Sequence, residues 1–183
     1  MDKMLRTSLE NLHTHDRQLQ SQAFSDLIAA TKPYVDWSYE IWDQMVADLS
    51  HKDNLVRSVA AQVLCNLAKS DPEQRMLRDF DALLNVTRDE RFVTARHCMQ
   101  NIWKVGAAGE AQKQLLLKGL TRRFREAINE KNVTLIRYDI LTSLRNLYNH
   151  GQDERVKEAA LALIATEQDP KYRKKYATVW RGV

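Results

Sequence analysis

The chain has 183 residues, 44% of them hydrophobic and 28% charged, proportions that exclude a disordered chain and fit one folded domain. Five Gly and three Pro are too few to punctuate an all-β or α/β chain of this length, so helices are expected. The net charge of +4 hides an asymmetry: residues 1–110 hold 13 Lys+Arg against 16 Asp+Glu, and residues 111–183 hold 15 against 8. A basic C-terminal part can attract nucleic acid or an acidic protein surface, and it can equally be a solvated face.

No stretch is long and apolar enough for a membrane span, and the opening MDKMLRTSLENLHTHDRQ lacks the apolar core of a signal peptide. The expectation is a cytoplasmic chain. Residues 1–35 read as N-terminal capping helices, with Leu19, Ala23, Leu27 and Ile28 on one face up to Lys32-Pro33. Next comes an amphipathic segment with Ile41, Trp42, Met45, Val46 and Leu49.

The segment DNLVRSVAAQVLCNLAKSDPE, residues 53–73, places Leu55, Val56, Val59, Ala60, Val63, Leu64 and Leu67 on one side of a helix. Asp53 stands at its N-cap, and Asp71-Pro72 reads as the start of the following helix. Met76, Leu77, Phe80, Leu83 and Leu84 form that next apolar stripe, and Leu116, Leu120, Phe124 and Ile128 form a later one. Between them VGAAGE, residues 105–110, reads as a connection, since it lacks the lysine and the strand of a phosphate loop.

The 53–73 pattern recurs. A shift of 80 residues sets Ile136, Arg137, Ile140, Leu144 and Leu147 on Val56, Arg57, Ala60, Leu64 and Leu67; a shift of 38 brings the weaker match Val93, Cys98, Ile102 and Val105. A shift of 100 sets Asp153, Val156, Lys157, Ala160 and Ile164 on Asp53, Val56, Arg57, Ala60 and Leu64. A period of about 40 residues with two helices per unit is the pattern of an α-solenoid. The last interval is only about 20, so the array ends irregularly. The tail DPKYRKKYATVWRGV reads as a short helix from Asp169 with Tyr172, Tyr176, Val179 and Trp180 on one side.

Here the chain resembles the HEAT-repeat family, whose second helices begin with Asp, then a Val-Arg pair, a small residue and two leucines one turn apart. Asp53, Val56-Arg57, Ala60, Leu64 and Leu67 carry the resemblance. The 132–149 unit has Asn132 in place of Asp, and the 89–106 unit lacks the Val-Arg pair. The resemblance implies an all-α fold, a right-handed α-solenoid of stacked helix pairs (HEAT-like, armadillo-like). It is expected as one domain over 1–183, with caps at 1–35 and 169–183 around repeats at 36–168. It also implies a concave ridge made by the second helices. On this chain the ridge comprises Ser58, Gln62, Asn66 and Lys69, then Arg96, Gln100, Trp103 and Lys104, then Tyr138, Thr142, Arg145 and Asn149. Arg57, Arg137 and Lys157 are expected to brace turns, and Trp37, Trp42 and Trp180 to pack.

The same fold occurs in alkylpurine DNA glycosylases, where an Asp follows a Trp by one turn; here Trp103 is followed by Ala107 and Trp37 by Ile41. His13 and His15 point to different sides of a helix, and neither zinc spacing nor HExxH occurs. His97 and Cys98 are neighbours that diverge by about 100° on a helix, poor geometry for a base and its nucleophile. Cys65 and Cys98 read as buried thiols. No cofactor or metal is expected, and no catalytic residue. The leading expectation is a non-catalytic scaffold or adaptor that binds another protein through the ridge. The alternative is nucleic-acid binding through Lys118, Arg122, Arg123, Arg125, Lys171, Arg173, Lys174 and Lys175, whose phosphate contacts would make it strongly salt-dependent.

Overall fold

A computed structural model describes residues 1–183. It is all-α: eleven α-helices and three short 3₁₀ turns, without a strand. No helix is long and apolar enough to cross a membrane. The residues group into two compact units, Met1–Cys98 and Met99–Val183.

The first unit contains α1 (Lys3–Leu12), α2 (Arg17–Thr31), α3 (Ser38–Asp48), α4 (Asn54–Leu67), α5 (Met76–Asn85) and most of α6 (Phe92–Asn101). Helix starts follow the expected capping chemistry: the Asp53 carboxylate accepts from the Leu55 N–H, and Asp2 and Asp16 cap α1 and α2 in the same way. Helix α1 pairs with α2 and α3 with α4; α2 also packs on α4, and α3 on α5. The core is the predicted stripe, for Val56, Val59, Ala60, Val63, Leu64 and Leu67 are at most 1% exposed. Burying each of the larger ones stabilises the fold by roughly 1.5–3 kcal/mol.

Several expectations need correction. Asp71 opens a turn rather than a helix: its carboxylate accepts from the N–H groups of Arg75 and Met76, so α5 starts four residues after Pro72. Val93, Leu77, Leu19 and Ile128, expected on apolar stripes, are exposed instead. Val93, Leu77 and Leu19 sit in the first turns of their helices, and Ile128 lies in the turn after α8.

The second unit contains α7 (Trp103–Ala107), α8 (Glu110–Glu126), α9 (Val133–Gly151), α10 (Glu154–Ala165) and α11 (Pro170–Val179). Val105, Gly106 and Ala107 belong to α7, so the expected 105–110 connection shrinks to Ala108-Gly109. A Cβ on Gly106 would come within 2.7 Å of a Leu116 methyl and 2.9 Å of a Leu147 methyl, so a larger residue in α7 would require those leucine side chains to shift. Helix α8 packs on α9 and α10, and α9 packs on α10 and α11. The tail forms α11 as expected, capped by Asp169, with Tyr176 and Trp180 buried.

Polar ties bind successive turns. In the first unit Arg57 donates to both Asp89 oxygens at 2.5 and 2.9 Å and to the His51 carbonyl at 2.8 Å. In the second, Arg137 donates to Glu167 at 2.8 Å and to the Phe124 carbonyl at 3.2 Å. Both arginines brace turns as the sequence suggested. Lys157 does not, because it pairs with Glu154 in the first turn of its own helix. Of the tryptophans assigned to packing, Trp42 and Trp180 are buried, and Trp37 is half-buried.

At the end of α1, the His13 ring lies between two groups that can only accept: the Leu9 carbonyl, 3.0 Å from Nδ1, and the Asp48 carboxylate, 2.9 and 3.0 Å from Nε2. Both ring nitrogens therefore donate, which requires the imidazolium. Burial alone would lower the His13 pKa, but the Asp48 hydrogen bond, the Leu9 carbonyl and the Asp48 charge together raise it. A raised folded pKa contributes stability that is complete below the unfolded value of about 6.5 and is lost as pH rises through the folded value. The urea midpoint of the native chain should fall over that window, and the midpoint difference from His13→Ala should shrink there. A difference that stays constant with pH would contradict the imidazolium assignment.

Candidate binding surface

The residues expected on the ridge meet different fates. On α4, Ser58 and Asn66 are each 4% exposed. Ser58 Oγ shares a 2.9 Å hydrogen bond with His97 Nδ1, and the Asn66 amide donates to Thr31 Oγ1 at 3.1 Å. Both were expected at the surface; they are buried because α4 is covered on more than its apolar stripe, with ten of its fourteen residues inside. Half-buried Gln62 donates to the Ser58 carbonyl and hydroxyl. Lys69 is exposed and donates to the Lys32 carbonyl. The α4 ridge therefore commits Asn66 to α2, Ser58 to α6 and Gln62 to its own helix.

Arg96 on α6 is half-buried with a partner of its own, and Gln100 is exposed. Trp103 is half-buried, its ring 6.0 Å from that of His150, which suits a residue covering a junction. Lys104 donates to Asn101 at 2.6 Å.

On α9 the ridge is more open. Tyr138, Thr142 and Arg145 are half-buried and Asn149 is exposed. Thr142 donates to the Tyr138 carbonyl at 3.0 Å, and Arg145 donates to Asn149 at 2.8 Å and to the Val179 carbonyl at 3.2 Å. The Lys175 ammonium of α11 lies 5.2 Å from the Tyr138 ring centre, and the Arg145 guanidinium 5.6 Å from that of Trp180. Two residue sets that the sequence kept apart, the ridge and the C-terminal cations, thus meet along the α9–α11 seam.

The cations divide. Lys118, Arg122 and Arg125 are exposed on α8, as are Lys171, Arg173, Lys174 and Lys175 on α11. Arg123, expected among them, is fully buried and makes a bidentate pair with Glu130 at 2.6 and 2.9 Å. The sequence grouped 122, 123 and 125 as one patch, but neighbouring helical positions diverge. Position 123 falls in line with Leu116, Leu120 and Ala127, all buried.

Sequence reading also passed over Arg155, whose exposed guanidinium donates to Glu110 at 2.7 and 3.0 Å and to Asp153 at 2.6 Å. Arg155, with help from the Gln114 amide, draws the Glu110 carboxyl down to about 2. Arg155 and then Lys113 hold the Asp153 carboxyl below its ordinary range. These charges border a hollow of about 200 Å³ near Gly106 and His150, and they neutralise one another. A hollow of about 480 Å³ between α1 and α3 is similar, its Arg6–Glu40 and His13–Asp48 pairs already closed. Burial pushes the Cys98 thiol well up, while the neighbouring imidazole is bound to Ser58, so this pair does not form an activated nucleophile.

The split between buried and exposed cations has a measurable consequence. Glu130→Ala removes the bidentate partner of a buried guanidinium and should cost about 1–3 kcal/mol in urea unfolding. Arg125→Ala, on the exposed side of the same helix, should change stability by less than about 0.5 kcal/mol. Equal effects would contradict the structural role of Arg123.

No protein-family model matches the chain and no curated protein matches it, so its own geometry carries the functional reading.

Proposed function

We propose that this chain is a HEAT-like helical-repeat module, a right-handed α-solenoid, that works as a non-catalytic scaffold by binding another protein. The observation that supports this is alternate stacking within each unit: α2 on α4 and α3 on α5 in the first, α8 on α10 and α9 on α11 in the second. Helix pairs that stack first on first and second on second are the arrangement of a solenoid, in which each repeat covers its neighbour. In this reading α10 takes the place of a first helix although its sequence copies a second one. The short 20-residue interval then separates consecutive helices rather than consecutive repeats.

The ridge that remains available is that of α9, with Tyr138, Thr142 and Asn149, flanked by the cations of α11. A mixed aromatic, amide and cationic surface suits a protein partner with acidic groups. One observation favours a second reading, nucleic acid: residues 170–183 contain five Lys or Arg and no Asp or Glu. Phosphate binding there would fall steeply with salt, by roughly 0.9 in log K per log salt for each contact.

The test is capture from native lysate by the tagged full chain, with and without nuclease. A protein retained in stoichiometric amount after nuclease, lost with Thr142→Trp and Asn149→Trp and only weakened by Lys171→Glu and Lys174→Glu, is the expected result. Recovery that disappears with nuclease and with the two lysine reversals would overturn this reading in favour of the second.

A further inference from the structure

The exposed side of α8 lies outside the ridge. Lys118, Arg122 and Arg125 follow one another at i, i+4 and i+7, so they share one face. Along that face runs an open hollow of about 460 Å³, lined by Leu117, Lys118, Thr121, Arg122, Arg125 and Glu126. It covers residues 117–126, roughly 14 Å of helix at about 1.5 Å per residue. Among its lining are Leu117, Thr121 and the long cationic side chains, whose alkyl stems can cover apolar groups while their heads stay in water. Arg122 and Glu126 are engaged with neighbours; the charge that matters here belongs to Lys118 and Arg125.

We infer that this face is a docking groove for an acidic amphipathic helix of a partner protein. Half-buried Leu117 and Thr121 beside the exposed Lys118 and Arg125 are the complement of a helix whose apolar crest is flanked by Asp and Glu, the helix-in-groove mode of recognition. The second unit supplies charge complementarity, with 16 Lys+Arg against 9 Asp+Glu over residues 99–183. Nucleic acid would place phosphates over Leu117, which donates nothing. A lipid surface favours large apolar groups that protrude, whereas Leu117 is half-buried. The inference goes beyond the proposed scaffold function, since it concerns a different face from the α9 ridge.

The experiment is fluorescence anisotropy on the full chain with a labelled synthetic peptide of about twenty residues, its leucines at i, i+3, i+4 and i+7 and glutamates on both flanks. The competitors are a scrambled peptide of the same composition, a short DNA duplex, and phosphatidylcholine vesicles containing phosphatidylglycerol. The amphipathic peptide should bind at least about tenfold more tightly than the scrambled one. Thr121→Asp, which leaves both cations in place, and the pair Lys118→Glu with Arg125→Glu, which leaves Leu117 and Thr121 in place, should each weaken it by about tenfold or more. All three positions lie at the surface of α8, and far-UV circular dichroism checks that the variants remain helical. Equal binding of the scrambled peptide would overturn the inference, as would loss with the paired charge reversal but not with Thr121→Asp. Tighter binding of the DNA or the vesicles through Lys118 and Arg125 would overturn it too, in favour of phosphate recognition. None of these results bears on capture through Thr142 and Asn149, so the scaffold reading stands or falls separately.

Discussion

A helix such as α4 holds Val56, Val59, Val63, Leu64 and Leu67 in water until other helices cover them, and in the folded chain all five are at most 1% exposed. No single partner suffices, because α4 has apolar or small residues around most of its circumference. It is therefore enclosed by α3, α2 and the α6 side. Helix α9 faces the same requirement, with Ile136, Ile140, Leu141, Leu144 and Leu147 buried against α7, α8, α10 and α11. Each of these two helices is covered by several neighbours, which buries its apolar positions.

Stacking fixes where polar groups can remain. At the turns it sets Arg57 against Asp89 and Arg137 against Glu167, each arginine also reaching a backbone carbonyl. On the flanks of α4 it draws Ser58, Gln62 and Asn66 into contacts with each other and with neighbouring helices, since a buried hydroxyl or amide without a partner is costly. The surface left for binding is consequently smaller than a count of off-stripe residues implies. Exposed or half-exposed polar groups remain on α9, where the Lys175 ammonium of α11 faces the Tyr138 ring, and on the outer side of α8.

Element type and the buried stripes were readable from residue spacing, as at Asp53 capping α4 and at Tyr176 and Trp180 on the inner side of α11. What spacing could not reveal was how far neighbours extend. Ser58 and Asn66 lie off the stripe by periodicity, yet flanking helices cover them; Val93 and Ile128 lie on it, yet sit near helix ends. Arg123 shows the same limit for charge: four cations close together in sequence look like one patch, and the helix turns one of them inward to Glu130. The partners of His13 and Arg155 lie 35 and 45 residues away, at Asp48 and Glu110. No local motif marks such pairs. The apolar spacing of residues 153–165 was visible in the sequence, but the position of α10 among α8, α9 and α11 is a property of packing.

The central claim is that the second unit recognises a protein through the α9 ridge. Amide hydrogen exchange, read by mass spectrometry on the free chain and on the complex with the protein it captures, tests this most directly. The account predicts slowed exchange over residues 138–149 and 170–179 on complex formation, with α4 unchanged because its amides are already enclosed. Protection confined to residues 1–98, with 138–149 unaltered, would contradict it.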